Sequence, residues 1–263
     1  MKIGICWGAF PCSFEERVRH LRENGVDMTF CDSWNPRLGE IAELCNNANI
    51  QLESLHAPFS HINDIWLDKK EGEQMLSELF EAVDNCQKYG IPTLVVHLSS
   101  GDNPPPICPL GMERFARLWA YAKERGVRIA YENQRKLANL ALVFEEFPDA
   151  GFCWDTGHEA CLSNWQGLQY MPIFGQKLSV LHIHDNHGVH NADEHMIPFD
   201  GTLDFDRIAS QIAATDYHGA VMLEIFAAKT QAYMDMGADA FYRRAADAAR
   251  RLRDDIAKKR GVL

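Results

Sequence analysis

The chain has 263 residues, with 26 Lys and Arg against 37 Asp and Glu, a formal net charge of −11. At 46% hydrophobic and 24% charged residues it has an ordinary globular composition, which excludes the fibrous, collagenous and disordered classes. The acidic balance argues against a general nucleic-acid or anionic-membrane binder, whose affinity rests on cationic contacts to phosphate.

The first strand-like run is Lys2–Cys6, followed by a helical pattern over Phe14–Asn24 with Gly25 as its stop. Asp27–Cys31 reads as a strand and Pro36–Ala48 as a helix. Gln51–His56 is a strand and Lys69–Tyr89 a long helix closed by Gly90. Thr93–His97 is rich in β-branched residues, and Leu110–Arg125 is helical up to Gly126, after a Pro-rich loop at Pro104–Pro106 and Pro109. Arg128–Glu132, Gly151–Asp155, Leu178–His184 and Ala220–Ile225 read as further strands. Leu137–Glu146, a region within Glu159–Met171, Phe205–Ala214 and Asp235–Lys259 read as helices. Eight strand–helix units in series imply a parallel sheet, and at this length a closed (β/α)8 TIM barrel spanning residues 1–263 as one domain. No Gly-rich dinucleotide fingerprint follows the first strand, which counts against an open doubly wound sheet.

The eight cysteines are scattered, with no C-x-x-C pair, as in a protein of a reducing compartment. Met1–Ile5 carries no apolar leader pattern, and no apolar run reaches the roughly eighteen residues of a membrane span. A soluble, cytoplasmic protein with no membrane partner is expected.

The chemistry concentrates where the strands end. The third to eighth strands finish on or next to His56, His97, Glu132, Asp155, His182 and Glu224. In a barrel these ends converge on one mouth, the face that carries active sites. Singly, such a His is more often structural, and Asp155 would serve as a cap for the helix that follows. Jointly, clustered carboxylates and imidazoles are costly without a cation, so a metal site is expected. Asp155-Thr156-Gly157-His158 places a carboxylate and an imidazole together across a turn. In the seventh strand His182 and His184 share a side by the period of two. Beyond them His187 and His190 read as solvated loop residues, while Asp193 and His195 are spaced like a second ligand pair.

These motifs, namely Leu55-His56-Ala57-Pro58-Phe59, Val95-Val96-His97, Tyr131-Glu132-Asn133, Asp155-Thr156-Gly157-His158, His182-Ile183-His184-Asp185-Asn186, Asp193-Glu194-His195 and Leu223-Glu224, resemble the xylose-isomerase-like TIM-barrel superfamily. The loop Pro198–Phe205 resembles that family as well. The superfamily includes sugar isomerases and epimerases, an inosose dehydratase and endonuclease IV. For the isomerase and epimerase branch the resemblance implies one divalent cation on Glu132, Asp155, His182 and Glu224. The two glutamates would double as acid and base about the substrate carbon, passing a proton through an enediolate. His158 would bind a substrate oxygen, with His56, His97 and His184 as further substrate-binding candidates. The implied metal is Mn²⁺, Co²⁺ or Zn²⁺, with Fe²⁺ or Mg²⁺ admissible.

A second branch is also implied. His56, His97, Glu132, Asp155, His158, His182, Asp193, His195 and Glu224 match the three-zinc ligand set of endonuclease IV, so a zinc phosphodiesterase on abasic DNA is the alternative. The net charge opposes it, and the basic residues of the last helix, from Arg243 to Arg260, belong at the far end of the barrel. Ketohexose epimerases of the family carry an Arg shortly after the seventh-strand His, and His187-Gly188-Val189-His190 has none. A metal-dependent isomerase or epimerase of a small sugar or related polyhydroxy carbonyl compound is the favoured expectation. Its partner is a small carbohydrate rather than nucleic acid, and a homo-oligomer is compatible with exposed Trp34, Trp66 or Trp165. A catalytically silent sugar-binding barrel is the reading from a different class.

Overall fold

The structure, a computed structural model, describes residues 1–163 and 169–262. Strands β1 (Lys2–Ile5), β2 (Met28–Asp32), β3 (Gln51–His56), β4 (Thr93–Val96), β5 (Arg128–Glu132), β6 (Gly151–Asp155), β7 (Leu178–His182) and β8 (Ala220–Leu223) form one parallel sheet, in which β1 to β7 pair in sequence order and β8 pairs with β1. The last seam is made just past the strand ends. Ile183 bridges Leu223, donates its N–H to the Met222 carbonyl at 2.8 Å and accepts from the Glu224 N–H at 3.0 Å. The sheet is thereby a (β/α)8 barrel.

Around it lie α1 (Phe14–Glu23), α2 (Leu38–Asn47), α3 (Lys70–Lys88), α4 (Pro109–Glu124), α5 (Leu137–Glu146), α6 (Thr156–His158), α7 (Met171–Phe174), α8 (Phe205–Ala213) and α9 (Gln231–Lys259). Helix α1 starts on a reciprocal capping box, in which Ser13 accepts from the Glu16 N–H and Glu16 accepts from the Ser13 N–H. Among the described residues no helix is long and apolar enough to cross a membrane.

The pleat decides which side chains enter the barrel. Val95, Ala130, Cys153 and Val180 form a small buried cluster of their own, apart from the large core between sheet and helices. Side chains two residues further along a strand face the same way. That places His97, Glu132, Asp155 and His182 inward, one layer nearer the C-terminal mouth.

Several expectations are corrected. The seventh strand stops at His182, because Asp185 leaves to pair antiparallel with Met196. Strand β2 runs one residue further than expected, to Asp32. Pro109 opens α4 instead of closing a loop, since a first-turn position needs no N–H donor. The segment Glu159–Met171 holds a π-helical turn at Glu159–Ser163, and its residues 164–168, with Trp165, lie outside the described residues. Trp66 is buried, not exposed: its indole N–H donates to the Leu98 carbonyl at 2.7 Å, and a Cβ on Gly111 would come within 2.0 Å of its ring. Trp34 is 47% exposed, as expected. The basic residues of α9 are offset by local carboxylates, with Arg250 on Asp247, Arg253 on Asp254 and Lys258 on Asp255. Arg260 donates to the Tyr217 carbonyl ahead of β8, at the end of the barrel opposite the mouth.

One buried acid is not used by the mouth. The β2–β3 register skips Glu53, which bulges and reaches the Ala220 N–H at 3.4 Å while its second oxygen has no partner. Burial pushes this carboxyl up to about 7. The folded state then holds its proton more tightly than the unfolded chain, so stability is full below the ordinary glutamate range and falls as pH rises toward 7. Glu53→Gln is therefore expected to leave thermal stability nearly unchanged at pH 4.5 and to raise it at pH 8, by up to about 3 kcal/mol. Melting curves at the two pH values check this.

Candidate metal centre and active site

The four residues expected to hold one cation come together. Glu132, Asp155, His182 and Glu224 are buried and offer ligand atoms that all lie within 4.8 Å of one another. Nδ1 of His182 stands between the two glutamates, 3.4 Å from Glu132 and 3.3 Å from Glu224. The His182 ring stacks on Phe30 at 4.4 Å, which fixes its plane. The Asp155 carboxylate caps α6 by accepting from the His158 N–H, and it also lies within this group of possible ligand atoms.

Two further groups adjoin the first. His56 and His97 approach the same oxygen of Glu132, at 3.2 and 2.8 Å. His158, His184, Asp193 and His195 form the other, with the His195 and Asp193 side chains 2.7 Å apart. The imidazoles of His182 and His184 are separated by these partners, since His184 lies 3.1 Å from Asp155 and 3.6 Å from Asp193. Gly157 makes this packing possible, because a Cβ there would sit 1.8 Å from the His184 ring. His187 stays on the surface, paired with Glu194 at 2.9 Å.

Charge in this volume is finely opposed. Burial raises the Glu132 carboxyl, but His97, His182 and His158 outweigh it and hold it well below the usual range. Glu224 is likewise raised by burial and lowered further by His182. Burial works against a proton on His158, yet Asp155 and Glu132 lift it to about 10. Burial also opposes the proton on His182, which Cys153, Glu224 and Glu132 nevertheless raise well above the ordinary histidine value. His97 goes the other way, since its own burial exceeds the pull of Glu132.

The groups open on a cavity of about 450 Å³ that His56, His97, Glu132, His158, Asp193 and Glu224 line. The strand-end reading missed Asp32, which also lines it. Asp32 has solvent-accessible surface, yet protein surrounds most of it, and this burial, with Glu224 adding, raises its carboxyl. Its signal was present as an acidic residue directly after Cys31. Gln134, two residues past Glu132, bridges His97 and His158 at 3.2 and 3.1 Å. Arg135 ties two mouth loops, donating to Asp102 at 2.8 Å and Asn191 at 2.9 Å. An amide and an arginine in a loop carry no spacing signal, so only the structure reveals them.

A divalent cation fits the donor set. One polar atom on each of Asp155, His182 and Asp193 is buried without a hydrogen-bond partner. Buried polar atoms rarely stay unpaired, and mixed carboxylate and imidazole donors suit a transition metal. Chelator-treated protein should gain several degrees of melting temperature when Mn²⁺ or Zn²⁺ is added, and His182→Ala should abolish the gain. Gly157→Ala, which drives a methyl group into His184, should destabilise the fold by about 1–3 kcal/mol. Thermal melts with and without metal test both.

Residues 18–261 match the xylose isomerase-like TIM barrel family. The chain is 26% identical over 303 residues to the uncharacterized protein y4fM of Sinorhizobium fredii, covering 97% of this chain and 94% of that one. Its backbone is similar to that of D-psicose 3-epimerase with D-tagatose from Clostridium cellulolyticum H10, with a TM-score of 0.76, 15% identity, and 97% and 99% of the two chains covered. It is also similar to the IOLI protein with a binding zinc atom, with a TM-score of 0.74, 16% identity, and 98% and 99% covered. With nearly its whole length matched, the chain belongs to the xylose isomerase-like TIM barrel family.

Proposed function

We propose that this protein is a divalent-metal-dependent isomerase or epimerase of a small sugar or related polyhydroxy carbonyl compound. The observation that carries the reading is the pair Glu132 and Glu224, two carboxylates that reach the same His182 nitrogen and line one cavity. The likeness to a sugar epimerase fold and to a zinc-bound relative agrees with it.

Glu132, Asp155, His182 and Glu224 would hold the cation. Its chemistry there would be to polarise a carbonyl and favour negative charge on the adjoining oxygen, so that the C–H between them becomes acidic. Both glutamates are held ionised by their histidine neighbours, which suits a carboxylate that accepts a proton from carbon. One glutamate takes the proton and the other returns one, and the atom and face that receive it decide between isomerisation and epimerisation. His158, 3.1 Å from Glu132 and lining the cavity, would donate to a substrate oxygen. His56 and His97 steady the Glu132 carboxylate. His184 is fully buried against Asp155, and we assign it to holding that side chain in place.

The second and third groups favour one other reading, a multinuclear zinc phosphodiesterase in which His56, His97, His158, Asp193 and His195 are ligands as well. The acidic chain and the carboxylates in its mouth oppose a polyanionic substrate.

Metal analysis of protein purified without chelator separates the two, with one ion per chain expected for the isomerase and two or three zinc ions for the phosphodiesterase. For the isomerase, a panel of ketoses and sugar acids in deuterated solvent should show C–H exchange at one carbon. Glu132→Gln and Glu224→Gln should each lower that exchange at least about 10³-fold with the fold intact. Exchange retained in both variants would falsify the two-glutamate mechanism.

A further inference from the structure

A second cavity, of about 380 Å³, adjoins the mouth on the β2–β3 side, and Trp34 lines both it and the active-site cavity. Resting on the function proposed above, we propose that this second cavity is a subsite for another neutral sugar unit, so that the substrate is a glycoside or oligosaccharide rather than a free monosaccharide.

Four observations carry this. First, Trp34 is 47% exposed and Phe59 beside it 38%, with ring centroids 6.0 Å apart. Few large apolar side chains are exposed among the described residues, and these two stand together at the edge of the mouth. A flat ring left open to solvent between two cavities offers the surface on which the C–H face of a sugar ring packs, leaving its hydroxyls to the rim.

Second, the rim carries free acceptors. Glu78 and Glu81, on successive positions of one face of α3, line the second cavity, and neither has an ion pair or hydrogen bond. Free carboxylates accept hydrogen bonds from paired hydroxyls, and such bonds to a charged group are the stronger kind.

Third, Ser33 lines the same cavity, is only 3% exposed, and its hydroxyl has no hydrogen-bond partner. A buried unpaired hydroxyl in the wall of a cleft is costly unless a small rearrangement lets an occupant answer it. Asn85 holds this segment in place by donating to the Ser33 carbonyl at 3.0 Å.

Fourth, the second cavity has no Lys or Arg in its lining. A phosphate or carboxylate on the distal unit would meet the two carboxylates of Glu78 and Glu81, with the His61 imidazole beside them in the lining, so that unit is neutral.

The test is titration calorimetry on the metal-loaded full chain, with glucose against cellobiose, maltose and gentiobiose. At least one disaccharide should bind about tenfold more tightly than glucose, and Glu81→Ala, a change at an exposed helix position, should reduce that preference to about twofold. Ser33→Ala should weaken the disaccharide and leave glucose unaffected. Equal affinities for glucose and all three disaccharides, or a preference that survives both substitutions, would overturn the subsite. Solvent deuterium exchange is read separately: its absence from every sugar would sink the isomerase reading, whereas exchange with ketoses but no disaccharide preference sinks only the subsite.

Discussion

The pleat of eight parallel strands governs the mouth. Side chains alternate inward and outward along each strand, and closure through Ile183 and Leu223 forces every inward residue at a strand end toward the same axis. Val95, Ala130, Cys153 and Val180 fill the layer beneath, and His97, Glu132, Asp155 and His182 sit above it because they lie two positions on. Moving any of these strands by one residue would turn its strand-end side chain toward the helices and leave the group incomplete. The register thus decides both the hydrophobic interior and the chemistry.

The charge balance follows from that geometry. Burial alone would push Glu132, Glu224 and Asp193 up and the histidines down, so that the site would discharge itself. Packing acids and imidazoles at 2.7–3.6 Å reverses the direction for the carboxylates and for His158 and His182. A group of this kind, with unpaired polar atoms left over on Asp155, His182 and Asp193, offers donors that a cation would satisfy. The supporting contacts do the same at longer range: Arg135 binds Asp102 and Asn191, Lys229 reaches Asp193, and Asp185 anchors its loop on the N–H groups of Gly201 and Leu203.

The loops set what the mouth can admit. Four carboxylates, of Asp32, Glu132, Asp193 and Glu224, stand in its lining beside four imidazoles, while Arg135 and Lys229 are engaged with Asp102 and Asp193. A neutral polyhydroxy compound suits that surface better than a polyanion. The aromatic pair Trp34 and Phe59, the latter packed on His56 and His97 at 5.3 and 4.8 Å, gives one wall an apolar face where the opposite wall is ionic. Carbohydrates are amphipathic in the same sense, with C–H faces and hydroxyl edges.

Much of this was legible in the residues. Alternating apolar runs and amphipathic helices determine a βα barrel, because the period of two and the period of 3.6 are local properties of the chain. The strand-end position of His56, Glu132, Asp155 and His182 followed from the same pattern. Other features depend on contacts between segments far apart in sequence, and no local signal reports them. Trp66 looked like any exposed tryptophan until Gly111 let α4 close over it. Asp32 became part of the mouth only because β2 runs one residue longer than its apolar run, and Gln134 only because the His97 and His158 rings meet beside it. The sequence by itself determined the fold and the residue types at the strand ends, since both are written in periodicity. Tertiary structure alone decided how those residues divide into three adjoining groups and where a second cavity opens beside Trp34, since these depend on distances across the closed barrel.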